Sequence, residues 1–369
     1  MQHFLRTLLS VFLIGGVISC TTIAYDGQDY DQALITNEQS KAIFRECQDL
    51  PNNTEVSISL IENGNIKYYG VKRENDTIFT YISPESVFEV GSITKVFTAT
   101  LLADLVLKKK LKLEDRVSDY LDVSFNDSTA ITFKQLANHT SGLPRLPSNM
   151  KLLEVDFKNP YKDYDEKKLI DYLTEELELE HQGSFAYSNL GAGLLGYTLT
   201  RIENASYEDL LQSRIFSKYQ MTSSTTNRSL VVDKLVLGLN RNGEVTPNWD
   251  PNVLVGAGGI LSSVTDLSSF ALAQFDSSNE ALNLTRKSTY YGHHGRSAIT
   301  GIGLGWMMKD DEGRGLYWHN GGTGGYNSFM QIDVEKKSAV IILTNVSAYN
   351  PKRVNIESLG ERLMKSINA

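Results

Sequence analysis

Apolar and polar positions along the chain follow two periods, and the switches between them mark out its elements. Thr36 stands where it can cap a helix running through about Leu50. Two β-rich runs follow, Val56 to Ile61 and Ile66 to Val71, separated by Asn63-Gly64. Such a pair supplies the two positive-φ residues of a type I′ turn, so a hairpin is expected. From Ser92 to Lys109, the residues Val96, Phe97, Ala99, Leu101, Leu102, Leu105 and Val106 leave almost no polar face. A helix that is apolar all round belongs inside a protein.

From about residue 111 to 254 the pattern is helical and loop-rich, with charged stretches such as Asp163 to Lys168 and Glu175 to Glu180. Strand character returns after Ser297, at Leu316 to His319, Tyr326 to Asp333 and Ala339 to Leu343, the last two joined by Val334-Glu335-Lys336-Lys337. Ile356, Leu359, Leu363 and Ile367 then repeat at helical spacing and can lay one face on a sheet. The expected fold is α/β (α+β), an antiparallel sheet flanked by helices plus a mainly helical inserted lobe. Residues 37–110 and 255–369 would form the sheet lobe and 111–254 the insertion. No internal repeat or linker marks a second independent domain.

The first residues read as a processing signal. Arg6 is followed by the apolar run Leu8 to Val17, and Val17-Ile18-Ser19-Cys20 resembles the lipobox of bacterial lipoproteins. Residues 1–19 are therefore expected to be a lipoprotein signal peptide, Cys20 the lipidated residue anchoring the chain to an envelope membrane, and 20–36 a tether. A plain secretory signal is the alternative, and both readings export the chain. With Cys20 acylated, Cys47 is the one remaining thiol and no intrachain disulfide forms. The content of 41% apolar and 22% charged residues is that of a globular protein. A net charge of −8, with no basic block beyond Lys108-Lys109-Lys110, argues against a nucleic-acid partner.

S-x-x-K occurs twice, at Ser92 to Lys95 and at Ser148 to Lys151, so spacing alone selects neither. Residues three apart on a helix share a face, which brings Lys95 within reach of the Ser92 hydroxyl. The N–H of a serine in the first turn also lies at the positive end of the helix dipole, where an oxyanion is stabilised. Lys95 on an apolar helix loses solvation, and its pKa falls. Ser148, in a loop after Pro144 and Pro147, has neither advantage. A second element is Tyr187-Ser188-Asn189, the only Y-x-N in the chain. A phenol beside a cationic lysine is expected to titrate low and act as a base. Asn189, on the same side of an extended segment, can hold the lysine or a substrate amide. The third element, His319-Asn320-Gly321-Gly322-Thr323-Gly324-Gly325, follows a strand. Its glycines let backbone amides approach a ligand, so Gly322 can supply a second oxyanion N–H and the edge can pair with a peptide. His181-Gln182-Gly183 and His293-His294-Gly295 match the same H-x-G spacing without that context.

In this order, the three elements resemble those of the penicillin-recognising serine hydrolases, specifically the class C beta-lactamase-like branch. Phe88 to Lys95, Leu113 to Val117, Asn138 to Pro144, Gly256 to Ser263, Gly303 to Trp306 and Leu343 to Asn345 are also similar to stretches of that family, so the likeness covers roughly residues 40 to 367. The resemblance implies a beta-lactamase/transpeptidase-like fold. It also implies that Ser92 attacks a carbonyl while Lys95 and Tyr187 share the proton transfers, with Tyr187 activating the hydrolytic water. The amides of Ser92 and Gly322 would form the oxyanion hole, and Asn189, His319, Gly321 and Gly322 would contact substrate. No metal or organic cofactor is implied. One departure bears on substrate: where true class C beta-lactamases carry Lys-Thr-Gly, suited to anchoring an antibiotic carboxylate, this chain has His319-Asn320-Gly321. Histidine there is similar to the D-alanyl-D-alanine carboxypeptidases and endopeptidases, D-aminopeptidases and family VIII esterases. The expected substrates are D-Ala-type peptidoglycan peptides or beta-lactams. A carboxylesterase and a non-catalytic penicillin- or peptidoglycan-binding sensor are the alternatives. If His319 contacts a substrate carboxylate, activity should rise as pH falls toward about 6.5.

Overall fold

The computed structural model describes residues 24–25, 35–126, 130–151, 154–292, 299–311 and 313–368. The leader and Cys20 lie outside them. Helix α1 (Asn37–Cys47) starts where expected, because Thr36 Oγ1 accepts from Gln39 N at 3.2 Å while the Gln39 side chain accepts from Thr36 N at 2.8 Å. The hairpin of β1 (Thr54–Glu62) and β2 (Asn65–Glu74) closes through Asn63 and Gly64, at φ 50° and 80°. Asn75 and Asp76, also at positive φ, turn the chain into β3 (Thr77–Ile82). No sequence expectation covered this third strand, which is only half-buried for most of its length.

A 3₁₀ turn, Gly91–Ile93, leads into α2 (Thr94–Leu107). Burial is unbroken from Thr94 to Ala103, as an all-round apolar helix requires. Short helices then surround α3 (Asn189–Glu203), whose first turn is capped by Ser188 Oγ accepting from Gly191 N at 2.8 Å. Helix α4 (Val264–Gln274) precedes the antiparallel strands β4 (Met307–Asp311), β5 (Arg314–Gly322), β6 (Asn327–Asp333) and β7 (Ser338–Thr344), and α5 (Ile356–Asn368) closes the chain.

The sheet runs β3-β2-β1-β7-β6-β5-β4, extended by the short strands Gly301–Ile302 and Tyr290–Tyr291 beyond β4. On the other edge, Ala24–Tyr25 of the expected tether pairs in parallel with Tyr81–Ile82. β1 therefore joins the two ends of the chain, with Ile58 opposite Ile342. Helices cover both faces. Val340 and Ile342 pack with Ile43, Leu359 and Leu363 of α1 and α5, whereas Ala339, Ile341 and Leu343 join the core holding Phe97 and Phe270 of α2 and α4. That explains why β7 reads as an uninterrupted apolar run rather than an alternating one.

Helix α5 approaches the sheet through Gly360, where a Cβ would lie 2.2 Å from Cε1 of the buried Phe329. Gly360→Ala should lower stability to urea by about 1–3 kcal/mol, despite alanine's advantage of roughly 1 kcal/mol inside a helix. An unchanged or higher unfolding midpoint would show that the ring yields freely.

Candidate active site

The turn carrying Ser92 packs directly on the end of β5. Gly91 has φ 50°, a left-handed conformation that penalises a side chain, and a Cβ there would come within 2.9 Å of Gly322 N. A Cβ at Gly321 would lie 2.1 Å from Val90 O and 2.9 Å from Ser92 N. The turn is fastened from two further elements: Ser328 Oγ of β6 donates to Val90 O at 2.7 Å, and Val90 N donates to Ile260 O at 3.0 Å. Ser92 thus sits in the 3₁₀ turn just ahead of α2, rather than in the α-helix itself. Ser92 and Gly322 line the same opening.

Lys95, only 2% exposed, places Nζ 2.9 Å from Ser92 Oγ and donates to Ala257 O at 2.6 Å. Nζ also lies 5.0 Å from the centroid of the Tyr187 ring, whose phenol is hydrogen-bonded to Ser92. The His139 ring stacks on Tyr187 at 4.5 Å, and the Arg145 guanidinium carbon lies 5.1 Å from the same ring. Burial first, and the charge of Arg145 second, push Lys95 well below the ordinary ammonium range. Burial likewise pushes the Tyr187 phenol up, outweighing the opposite pull of its bond to Ser92 and of Arg145. The expectation of a lowered phenol pKa is therefore corrected: desolvation dominates the neighbouring cations. The arrangement offers a serine hydroxyl hydrogen-bonded to an amine that sheds its proton easily and to a phenol that keeps its own.

Among the described residues, two cavities open beside Ser92. The larger, about 720 Å³, is lined by Arg145, Tyr187, Asn320 and Arg353 among others. The narrower, about 40 Å³, is lined by Tyr161, Asn189, Trp249 and Thr323. Among the described residues, no three His, Cys, Asp or Glu side chains are grouped to hold a metal ion.

The family model described as Beta-lactamase matches residues 42–359. The chain belongs to the Beta-lactamase family. It is 25% identical over 316 residues to Protein flp of Staphylococcus aureus (strain MW2), covering 81% of this chain, and it spans 61% of that relative's length. It is 26% identical over 297 residues to the D-alanyl-D-alanine-carboxypeptidase/endopeptidase AmpH of Escherichia coli (strain K12), covering 75% of each. In fold it is similar to a class C beta lactamase from Rhodobacter sphaeroides, with TM-score 0.72, 22% identity, and coverage of 90% of this chain and 100% of that one. An octameric penicillin-binding protein homologue from Pyrococcus abyssi also gives TM-score 0.72, with 24% identity and coverage of 88% and 77%.

In this Beta-lactamase family member, Ser92, Tyr187, Gly321 and Gly322 meet at one opening with Lys95 buried against Ser92, but two expected contacts differ. Asn189 opens α3 instead of continuing an extended segment; its Nδ2 donates to Tyr161 Oη at 3.3 Å, and its buried Oδ1 has no partner among the described residues. The second partner of Lys95 is Ala257 O, not Asn189. His319 is 1% exposed, with Nδ1 2.6 Å from Asn320 O. Burial, then the charge of Lys95, lowers its pKa to about 3, so it does not become the cation expected near pH 6.5. The rival Ser148 is a surface residue donating to Glu176 at 2.6 Å, and Lys151 pairs with Glu154. His181 is exposed, while His293 and His294 lie outside the described residues.

Sequence reasoning did not single out His139, Arg145 or Glu89. His139 accepts from Ser188 N through Nδ1 at 3.2 Å, tying the Tyr187 segment to its loop. Glu89, 5% exposed, accepts from Asn248 Nδ2 at 2.8 Å and from Trp249 N at 2.9 Å, and so holds the Trp249 that lines the narrow cavity. The available signal was their place inside or beside the family-like stretches Phe88 to Lys95 and Asn138 to Pro144.

His139 and His319 are both depressed by burial, so in the folded chain they stay neutral where the unfolded chain protonates them, near pH 6.5. Stability is then full above about pH 6.5 and falls as the pH drops below it, by up to about 1.4 kcal/mol per pH unit for each histidine. Urea midpoints should fall between pH 7 and pH 5, and His319→Asn should flatten part of that slope. A pH-independent midpoint over this interval would contradict two buried neutral imidazoles.

Proposed function

We propose that the chain is a serine hydrolase that forms an acyl-enzyme through Ser92 and acts on amide bonds of D-Ala-type peptidoglycan peptides or beta-lactams. One observation carries the reading: Ser92 Oγ lies 2.9 Å from the amine of a lysine that is 2% exposed and that, among the described residues, has no acidic partner. Such an amine is held toward its neutral form and is a base at the place where a nucleophile needs one.

In the proposed cycle, Lys95 accepts the Ser92 proton as Oγ attacks the substrate carbonyl. The N–H groups of Ser92 and Gly322 hold the resulting oxyanion. The Tyr187 phenol gives its proton to the departing amine as the C–N bond breaks, and regains one from Lys95. Water then attacks the ester, losing its proton to the same pair, and the freed Ser92 takes a proton back as the acid leaves. The chemistry named for the Escherichia coli relative, hydrolysis of a D-alanyl-D-alanine bond, supports the choice of substrate. Acylation of Cys20 would hold the enzyme at an envelope membrane, a reading supported by the apolar run before it; Cys20→Ser should then release the chain from the membrane fraction.

The test is a mass-spectrometric search for an acyl adduct on Ser92 after incubation with a penicillin, a muropeptide and a short-chain ester in competition. Adducts from the penicillin or the muropeptide are expected, with none in Ser92→Ala. Lys95→Ala and Tyr187→Phe should each slow turnover by roughly 10²–10⁴-fold. An adduct from the ester alone would replace this reading with a carboxylesterase. Penicillin bound equally by wild type and Ser92→Ala, with no adduct, would replace it with a non-catalytic binder.

A further inference from the structure

The larger cavity beside Ser92 is lined by two arginines, Arg145 and Arg353, and by Glu357. Arg353 is already engaged: its Nη1 donates to Asn350 O at 3.3 Å, and its charge acts on the carboxyl of Glu357, which also accepts from Asn320 Nδ2. Arg145 is different. Among the described residues its guanidinium has no ion pair and no hydrogen bond, and it lies against the Tyr187 ring. Its backbone is fixed nonetheless, because its carbonyl accepts from Asn189 N at 3.0 Å and from Leu190 N at 3.2 Å at the start of α3. The result is a permanent cation with its fork of donors free, held at the mouth of the site.

The direction of substrate entry follows from the proton transfers. A group that protonates the leaving atom must stand beside it, and Tyr187 lines the larger cavity but not the narrow one. The leaving portion of an acyl-transfer substrate therefore enters the cavity that Arg145 lines. His319, buried and neutral, supplies no charge there. A guanidinium matches a carboxylate in geometry as well as in charge.

We propose that Arg145 anchors a carboxylate on the leaving side of the substrate and is the specificity-determining cation of this site. The inference rests on the acyl-transfer reading above and names the charge its substrate carries. It has a second consequence. The groups facing Lys95 are Ser92, Tyr187, His139, His319, the Ala257 carbonyl and Arg145, and Arg145 is the permanent charge among them. A carboxylate docked on Arg145 offsets that charge and strengthens Lys95 as a base when substrate is in place.

The experiment compares wild type with Arg145→Gln, Arg145→Lys and Arg353→Gln on two substrate pairs: an acylated D-Ala-D-Ala peptide against its C-terminal amide, and benzylpenicillin against its methyl ester. Wild type should favour the free carboxylates by roughly ten- to a hundredfold in kcat/KM, mostly through KM. Arg145→Gln should bring the ratio near one, Arg145→Lys should keep part of it, and Arg353→Gln should preserve it. With p-nitrophenyl acetate, a neutral ester, the acidic limb of kcat/KM should move to higher pH in Arg145→Gln but not in Arg145→Lys. Loss of the cation raises the Lys95 pKa, and the neutral amine then appears later in the titration. An arginine that merely packs on Tyr187 would move neither the ratio nor the limb. A wild-type ratio near one, or a ratio unchanged in Arg145→Gln while Ser92 is still acylated, would overturn the Arg145 assignment alone. Absence of any Ser92 adduct with all five substrates would overturn the acyl-transfer reading and this inference with it.

Discussion

The backbones of Val90-Gly91-Ser92 and Gly321-Gly322 approach so closely that neither Gly91 nor Gly321 has room for a Cβ, and the placement of Ser92 follows from that contact. Its precision depends on sheet register. Gly321 lies opposite Ser328, and Ser328 is also the residue that donates to Val90 O. A one-residue slip between β5 and β6 would send Ser328 to the other face and withdraw the tie. The apolar strand β7 prevents such a slip by burying both of its faces, and its neighbours inherit the alignment.

A single physical cause sets the ionisation of the whole site. Desolvation favours neutral forms, so it lowers an amine and raises a phenol. Lys95 and Tyr187 are therefore shifted in opposite directions by burial, each toward its uncharged form. The all-round apolar character of α2 is the source of that burial. No acidic side chain among the described residues offsets it, which separates this lysine from a structural ion pair.

Much of this was legible in the residues. The Asn63-Gly64 hairpin, the Thr36 cap, the buried α2 and the apolar stripe of α5 are local patterns, and each element formed where its pattern lay. The meeting of Ser92, Tyr187 and Gly321 was readable from the order of three short motifs and their likeness to a known family. What was not readable depends on burial from many directions at once. His319 alternates correctly along β5, yet its neutrality comes from surroundings that periodicity does not report. The phenol of Tyr187 was assigned the sign of its nearest cation, whereas desolvation was the larger effect. Asn189 sits one residue after a capping serine, which turned an apparent extended segment into a helix start. Arg145 and Glu89 had no repeat to reveal them, since one loop residue and one strand residue act here through contacts distant in sequence.

The seam between β1 and β7 also constrains how the molecule comes into being. Glu55 N donates to Asn345 Oδ1 across 290 residues, so the central pairing of the sheet cannot exist until almost the entire chain is available. The segment bearing Ser92 is synthesised early, but the strand ends that seat it arrive late. Topologies of such long-range contact fold slowly and leave unpaired edges exposed in the meantime. A chain shortened before β7 would therefore lack the strand that aligns the seat of Ser92, even with all three motifs intact. The seat of Ser92 is thus completed late, after the residue itself and the strands that flank it have been made.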